Sequence, residues 1–162
     1  MKRAAALLLA TALFAAGCTD DVDPAAPKAN GAGGGTLEYD AVAALTLQRL
    51  TKDPDCPIGK WADNSTGVDE KYRADVTQFK QFDCYLTESQ LLPNRGQQSI
   101  YVRFTSAETA KAYATDQAKL YPVLLVGSTA VVAGSGLEQV DMKQYLSAVR
   151  DLAGGTGEVL GK

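Results

Sequence analysis

Residues 122–133, PVLLVGSTAVVA, constrain the fold more than any other stretch of the chain. Two apolar runs, Pro122 to Val126 and Thr129 to Ala133, are too short for helices. Gly127-Ser128 separates them, a two-residue connection in which glycine supplies the positive φ of a tight hairpin. Strands this continuously apolar sit at the centre of a sheet or are covered on both faces. The rest of the chain must therefore supply a sheet around this hairpin and helices to bury it.

The flanking patterns supply both. Tyr39, Val42, Ala43, Leu47 and Leu50 recur at helical spacing, and Asp53-Pro54 ends that helix. Residues 53–78 are a long loop with room for one short strand or helical turn. Phe82, Cys84 and Leu86 alternate with Asp83 and Tyr85, a strand pattern of period two. Pro93-Asn94-Arg95-Gly96 makes a turn. The next strand places Ile100, Val102 and Phe104 on one face and Tyr101 and Arg103 on the other. Thr105-Ser106-Ala107-Glu108 has the form of a capping box. It opens a helix whose inner face is Ala107, Ala110, Ala114 and Ala118, and Tyr121-Pro122 stops it. After the apolar hairpin, Asp141 caps a last helix with Met142, Tyr145, Leu146, Val149 and Leu152 facing inward, and Gly154-Gly155 ends it. The tail, residues 156–162, is frayed or forms a short edge strand through Val159-Leu160.

The order α-β-β-α-β-β-α predicts an α+β fold, a two-layer sandwich with four mostly antiparallel strands and about three helices on one face. If the tail pairs as a strand, residues 99–161 form a ferredoxin-like β-α-β-β-α-β unit. One domain, residues 37–155, holds all of this.

The N-terminus is of another kind. Lys2 and Arg3 precede an apolar run from Ala4 to Ala16, followed by Gly17-Cys18. A basic start, a short apolar core and small residues before a cut make a secretory signal, residues 1–17. The run is shorter than the roughly 20 residues a transmembrane helix needs. Ala15-Ala16-Gly17-Cys18 resembles the lipobox of bacterial lipoproteins, departing from it by Ala15 where leucine is commonest. The resemblance covers residues 1–18 only. It implies a diacylglyceryl group on the Cys18 thiol, cleavage before that residue, and a protein held by lipid outside the cytoplasm, on the outer face of the cytoplasmic membrane or on an outer membrane. Residues 18–36 then read as the lipidated cysteine and a flexible tether. They are rich in Ala, Gly, Pro and Asp without apolar periodicity, and as a coil they span on the order of 25 Å.

Three cysteines are present. Lipidation of Cys18 leaves Cys56 and Cys84, which outside the cytoplasm pair as a disulfide. Closing that loop contributes roughly 3.5 kcal/mol by the chain-entropy argument. No Cys-x-x-Cys spacing points to redox chemistry.

Composition narrows the function. There is no histidine, which removes the commonest general base and metal ligand together. The signal carries two of the 16 basic residues and none of the 19 acidic ones, so the mature chain has a formal charge of −5. An acidic chain without a basic cluster is a poor nucleic-acid partner. No Ser-x-x-Lys occurs, Gly134-Ser135-Gly136 lacks the wider form of a nucleophile elbow, and Gly33-Gly34-Gly35 is not followed by Lys-Ser/Thr. Hence no cofactor is expected. Asp63, Ser65, Asp69 and Glu70 offer oxygen ligands, but Gly67 falls at position five where a calcium loop needs position six, so no metal is expected. A carboxylate pair of the glycosidase kind would make an envelope hydrolase, yet no spacing singles out two acids. Tyr85, Tyr101 and Arg103 read as the outward face of adjacent strands, with Trp61 nearby. That is the composition of a partner-binding hot spot; the alternative is that the first helix or the disulfide loop covers these residues. The expectation is a non-enzymatic binding or regulatory module for another envelope component. A purely structural surface domain is the other alternative.

Overall fold

The computed structural model describes residues 36–63, 67–134, 137 and 139–161. The signal, Cys18 and nearly all of the tether lie outside the described residues. The elements in chain order are α1 (Tyr39–Leu50), β1 (Ile58–Ala62), α2 (Glu70–Arg73), β2 (Val76–Tyr85), β3 (Arg95–Phe104), α3 (Ala107–Gln117), β4 (Val123–Val126), β5 (Thr129–Ala133), α4 (Gln139–Leu152) and β6 (Glu158–Leu160). The six strands form one open antiparallel sheet in the order β1-β2-β3-β5-β4-β6.

The α+β class is as expected, while the four-stranded sheet with one helical face is corrected. Both additional strands are at the sheet edges: β1 in the loop 53–78 and β6 in the tail. Period-two alternation along the central strands feeds two separate cores. Ile100, Val102 and Phe104 of β3, with Ala130 and Val132 of β5, pack under Ala110, Tyr113 and Ala114 of α3. Tyr101 and Val131, from the other face of the same strands, with Leu124 of β4, pack under Val42 of α1 and Tyr145, Leu146 and Val149 of α4. The β4–β5 hairpin is thus buried on both sides, as its composition demands, and Gly127 turns it with φ of 55°.

Topology explains why the helices divide. The crossovers β3-α3-β4 and β5-α4-β6 run in the same direction across the sheet but start from antiparallel strands. Two right-handed crossovers of that kind place their helices on opposite faces. The ferredoxin-like expectation fails for the same reason: β6 pairs with β4, where that arrangement would return it beside β3. Two caps also shift. Ser106, not Thr105, caps α3, its Oγ accepting from the Thr109 amide at 3.0 Å. Asp141 lies inside the first turn of α4.

The antiparallel order defines two ends of the molecule. The end where β3 begins also holds the C-terminus of α1, the loop 51–57, the β2–β3 hairpin, Leu120 after α3, and the approach to α4. At the opposite end, where β3 finishes, the chain enters the domain. There the Leu37 carbonyl accepts hydrogen bonds from the Tyr101 hydroxyl and the Arg103 guanidinium, each at 2.8 Å.

Candidate functional site

At the end where β3 begins, the C-terminus of α1, the N-terminal half of α4, the loop 51–57 and the ends of β2 and β3 line a cleft of about 640 Å³. Its floor is apolar: Leu45, Leu50, Leu137 and the Cys56–Cys84 disulfide. The α1 wall carries Gln48 and Arg49, with Lys52 in the turn just after it, and the α4 wall carries Asp141 and Gln144. All five are exposed side chains.

The floor is held by interlocking contacts. Cys56 and Cys84, 28 residues apart, are bonded, which fixes the loop 51–57 on the end of β2. Arg95 spans the same loop, pairing with Asp53 at 2.8 Å and with Asp55. The Asp53 carboxyl also accepts from the Asp55 amide at 2.9 Å. That backbone bond first, and Arg95 second, hold its pKa below the ordinary value. Deeper in, the Tyr145 hydroxyl bonds Ser99 Oγ at 2.6 Å and Thr46 Oγ1 at 2.9 Å, and the Thr46 hydroxyl donates to the Val42 carbonyl at 2.7 Å. Burial pushes the Tyr145 phenol up, so it stays neutral. This chain of hydroxyls links α1, α4 and β3 below the cleft.

The surface expected from Tyr85, Tyr101, Arg103 and Trp61 is not assembled. Tyr101 is completely buried beneath α1 and α4. Arg103 is half-buried on the same face and paired with Glu38 at 3.4 Å. Tyr85 belongs to the other face, where Lys60 lies over its ring at 5.0 Å. Trp61 packs edge-on between Tyr39 and Phe82, with ring centroids at 5.4 and 5.2 Å. The physical reason is the second helical layer: α1 and α4 cover the face that a two-layer sandwich leaves open, so Tyr101 is core and Trp61 is packed beside it. The disulfide pair lies against the cleft, while Cys18 is outside the described residues.

Arg49, Lys52, Arg95, Gln98 and Tyr145 line the cleft; the sequence placed Tyr145 on a helical stripe and Arg95 in a turn, and assigned none of the five to a site. The hairpin beside it holds a legible signal that was passed over. Leu91 and Leu92 sit next to the Pro93 turn, and consecutive apolar residues in a turn break the polar pattern of loops. They are 93% and 77% exposed. The Asn94 side-chain amide donates to the Asp55 carbonyl at 3.1 Å, tying this hairpin to the disulfide loop.

Among the described residues no three acidic or cysteine side chains cluster to hold a metal ion, and no helix is long and apolar enough to cross a membrane. The disulfide is of the kind that persists in oxidising, extracytoplasmic surroundings. The fold and cleft define a small α+β protein with a disulfide-braced groove at one end of an antiparallel sheet. The chain matches no family model, no curated protein and no solved structure with which it was compared.

Proposed function

We propose that this protein is a lipid-anchored, extracytoplasmic binding module of the cell envelope, attached through Cys18 and receiving its partner in the cleft between α1 and α4. The cleft carries the reading. Its rigid apolar floor and rim of exposed charged and amide groups are the makeup of a ligand site with a few orienting polar contacts. The lipobox, the odd cysteine and the disulfide support anchoring outside the cytoplasm.

The experiment has two arms. A Cys18→Ser chain moves from the membrane to the soluble fraction; continued retention rejects the anchor. A photo-crosslinking residue replacing Gln144 forms adducts in intact cells, and the same residue replacing Lys111, exposed on α3, does not. Equal crosslinking at the two positions rejects the cleft as the binding site.

A further inference from the structure

Apolar exposure in this molecule is concentrated at one end. Among the described residues, the four most exposed large apolar side chains are Leu91, Leu92, Leu120 and Leu86. All four belong to the end where β3 begins, three of them in the connection 86–94 between β2 and β3 and Leu120 in the turn after α3. Single exposed leucines need no explanation, but three on one short connection do. That connection is ordered by polar contacts, not by its leucines. The Leu86 amide donates to Gln90 Oε1 and the Asn94 amide to the Cys84 carbonyl, each at 2.8 Å. Lys60 reaches from β1 to the Glu88 carbonyl at 3.2 Å and to its carboxylate at 3.1 Å. Leu91 and Leu92, held out in water, add nothing to the fold by being apolar.

Charge and composition narrow what such a tip can meet. Glu88 is the single ionisable side chain of residues 86–94, and Lys60 neutralises it. In the neighbouring cleft, Arg49, Lys52 and Arg95 are balanced by Asp53, Asp55 and Asp141. These groups contribute nothing to the formal charge of −5 on the mature chain, so the tip carries no unpaired charge into an apolar medium. Residues 86–94 also hold no aromatic residue and no arginine. Protein–protein hot spots are built from those types, with leucine under-represented, whereas burial in lipid asks only for apolar area without charge.

We infer that Leu86, Leu91 and Leu92 dip into the bilayer that holds the lipid on Cys18, so that the domain rests on its own membrane by the β2–β3 tip. The tether allows this without dictating it. As a coil, residues 18–36 span on the order of 25 Å, and fully extended about 60 Å. Leu37 is fixed at the far end of β3, about 30 Å from the tip. A domain standing on its tip therefore keeps its entrance within reach of the anchor, and the leucines set the orientation. Attachment also raises the effective concentration of bilayer at the tip, so three side chains suffice where a free protein would need more. The contact rests on the Cys18 anchor proposed above and is independent of what the cleft binds.

The test reconstitutes the chain, purified from membranes, into phosphatidylcholine vesicles that hold no other protein. A fluorophore is attached through Ser89→Cys at the tip or through Lys111→Cys on α3, both exposed positions. Nitroxide-bearing lipids are expected to quench the Ser89 label and to spare the Lys111 label. Added salt leaves the quenching unchanged, because no charge pair is involved. Leu91→Ser with Leu92→Ser lowers the inserted fraction at least about tenfold, while the melting temperature stays at the wild-type value because both side chains are already in water. A Ser89 label that remains in water on a chain retained by the vesicles overturns the tip contact and leaves the anchor standing. A chain that does not associate with vesicles at all overturns both. Quenching that appears only as chains are crowded on each vesicle assigns the leucines to a second copy. A Ser89 label that leaves water in native membranes but not in pure lipid assigns them to a protein partner. Either result overturns the lipid contact.

Discussion

At the scale of single residues, Tyr145 of α4 joins α1 and β3 through its hydroxyl. Its ring is buried against the core shared by α1 and α4, and its hydroxyl is the middle member of the Ser99–Tyr145–Thr46 chain. Buried polar groups are costly when one member of a chain is removed, because the others lose their partner without regaining water. Tyr145→Phe keeps the ring and strips the hydroxyl. Thr46 retains the Val42 carbonyl, whereas Ser99, fully buried, loses its bond to Tyr145. The expected destabilisation is about 1–2 kcal/mol in urea unfolding. A change indistinguishable from zero would mean that the hydroxyl chain does not hold the cleft floor. The same scale contains the clearest misreading of the sequence. Tyr101 alternates outward from Ile100 and Val102, which is right, but outward is not exposed when a second layer exists. Its hydroxyl donates to Leu37, so the phenol closes the entrance of the chain into the domain.

At the scale of elements, two backbone irregularities meet. Gln97 takes φ of 53°, in the stretch where the pairing of β2 with β3 shifts register between Phe82 and Cys84. Gly134, just after β5, donates its amide to the Gln98 carbonyl at 2.9 Å. A Cβ on Gly134 would fall 1.5 Å from the Gln97 carbonyl oxygen, which is backbone and cannot rotate away. Gly134→Ala therefore forces β3 and the end of β5 apart, with an expected loss of roughly 2 kcal/mol or more, the range of overpacking and strain. Thermal melts followed by circular dichroism would detect it; a melting temperature equal to wild type would show that the strands separate freely. Elements with a strong local period were legible: α1, the central strands, the β4–β5 hairpin and the inward stripe of α4. Those that exist through their neighbours were not. β1 has no alternation of its own, all five residues being half-buried, and its place comes from pairing with β2 and from the Cys56–Cys84 bond. β6 is three residues long and depends on β4. The second helical layer was implied by the two-sided apolar character of PVLLVGSTAVVA, and counting only four strands hid it. The cleft was illegible because its residues come from α1, α4, a loop and a hairpin that only the folded chain brings together.

At the scale of the whole molecule, the two cores on opposite faces of the sheet are tied at their margins by charge. On the α3 face, Asp116 accepts from Lys119 at 2.7 Å through one oxygen, and from Lys71 at 2.5 Å and the Tyr72 hydroxyl at 2.6 Å through the other. It thereby fastens α2 to α3. Those bonds, Lys119 first, hold the Asp116 carboxyl far below its ordinary value of 3.8. On the cleft side, Asp53 is also lowered, by the Asp55 amide and then Arg95. A carboxyl whose folded pKa lies below its unfolded one binds fewer protons in the native state. Its contribution is complete above the unfolded value and disappears as pH falls through that value toward the folded one. Both groups act in this direction, so the domain loses stability from about pH 5 downward. Asp116→Asn removes the larger shift. The variant melts below wild type at neutral pH, where the carboxylate is charged, and its melting temperature then declines less steeply on acidification. The two curves converge toward pH 2, where wild-type Asp116 is losing its advantage. Parallel curves between pH 7 and pH 2 would mean that the triple contact adds nothing in solution, as exposed ion pairs often do not, and that α2 is held to α3 by the Tyr72–Tyr113 packing alone, with ring centroids 5.6 Å apart.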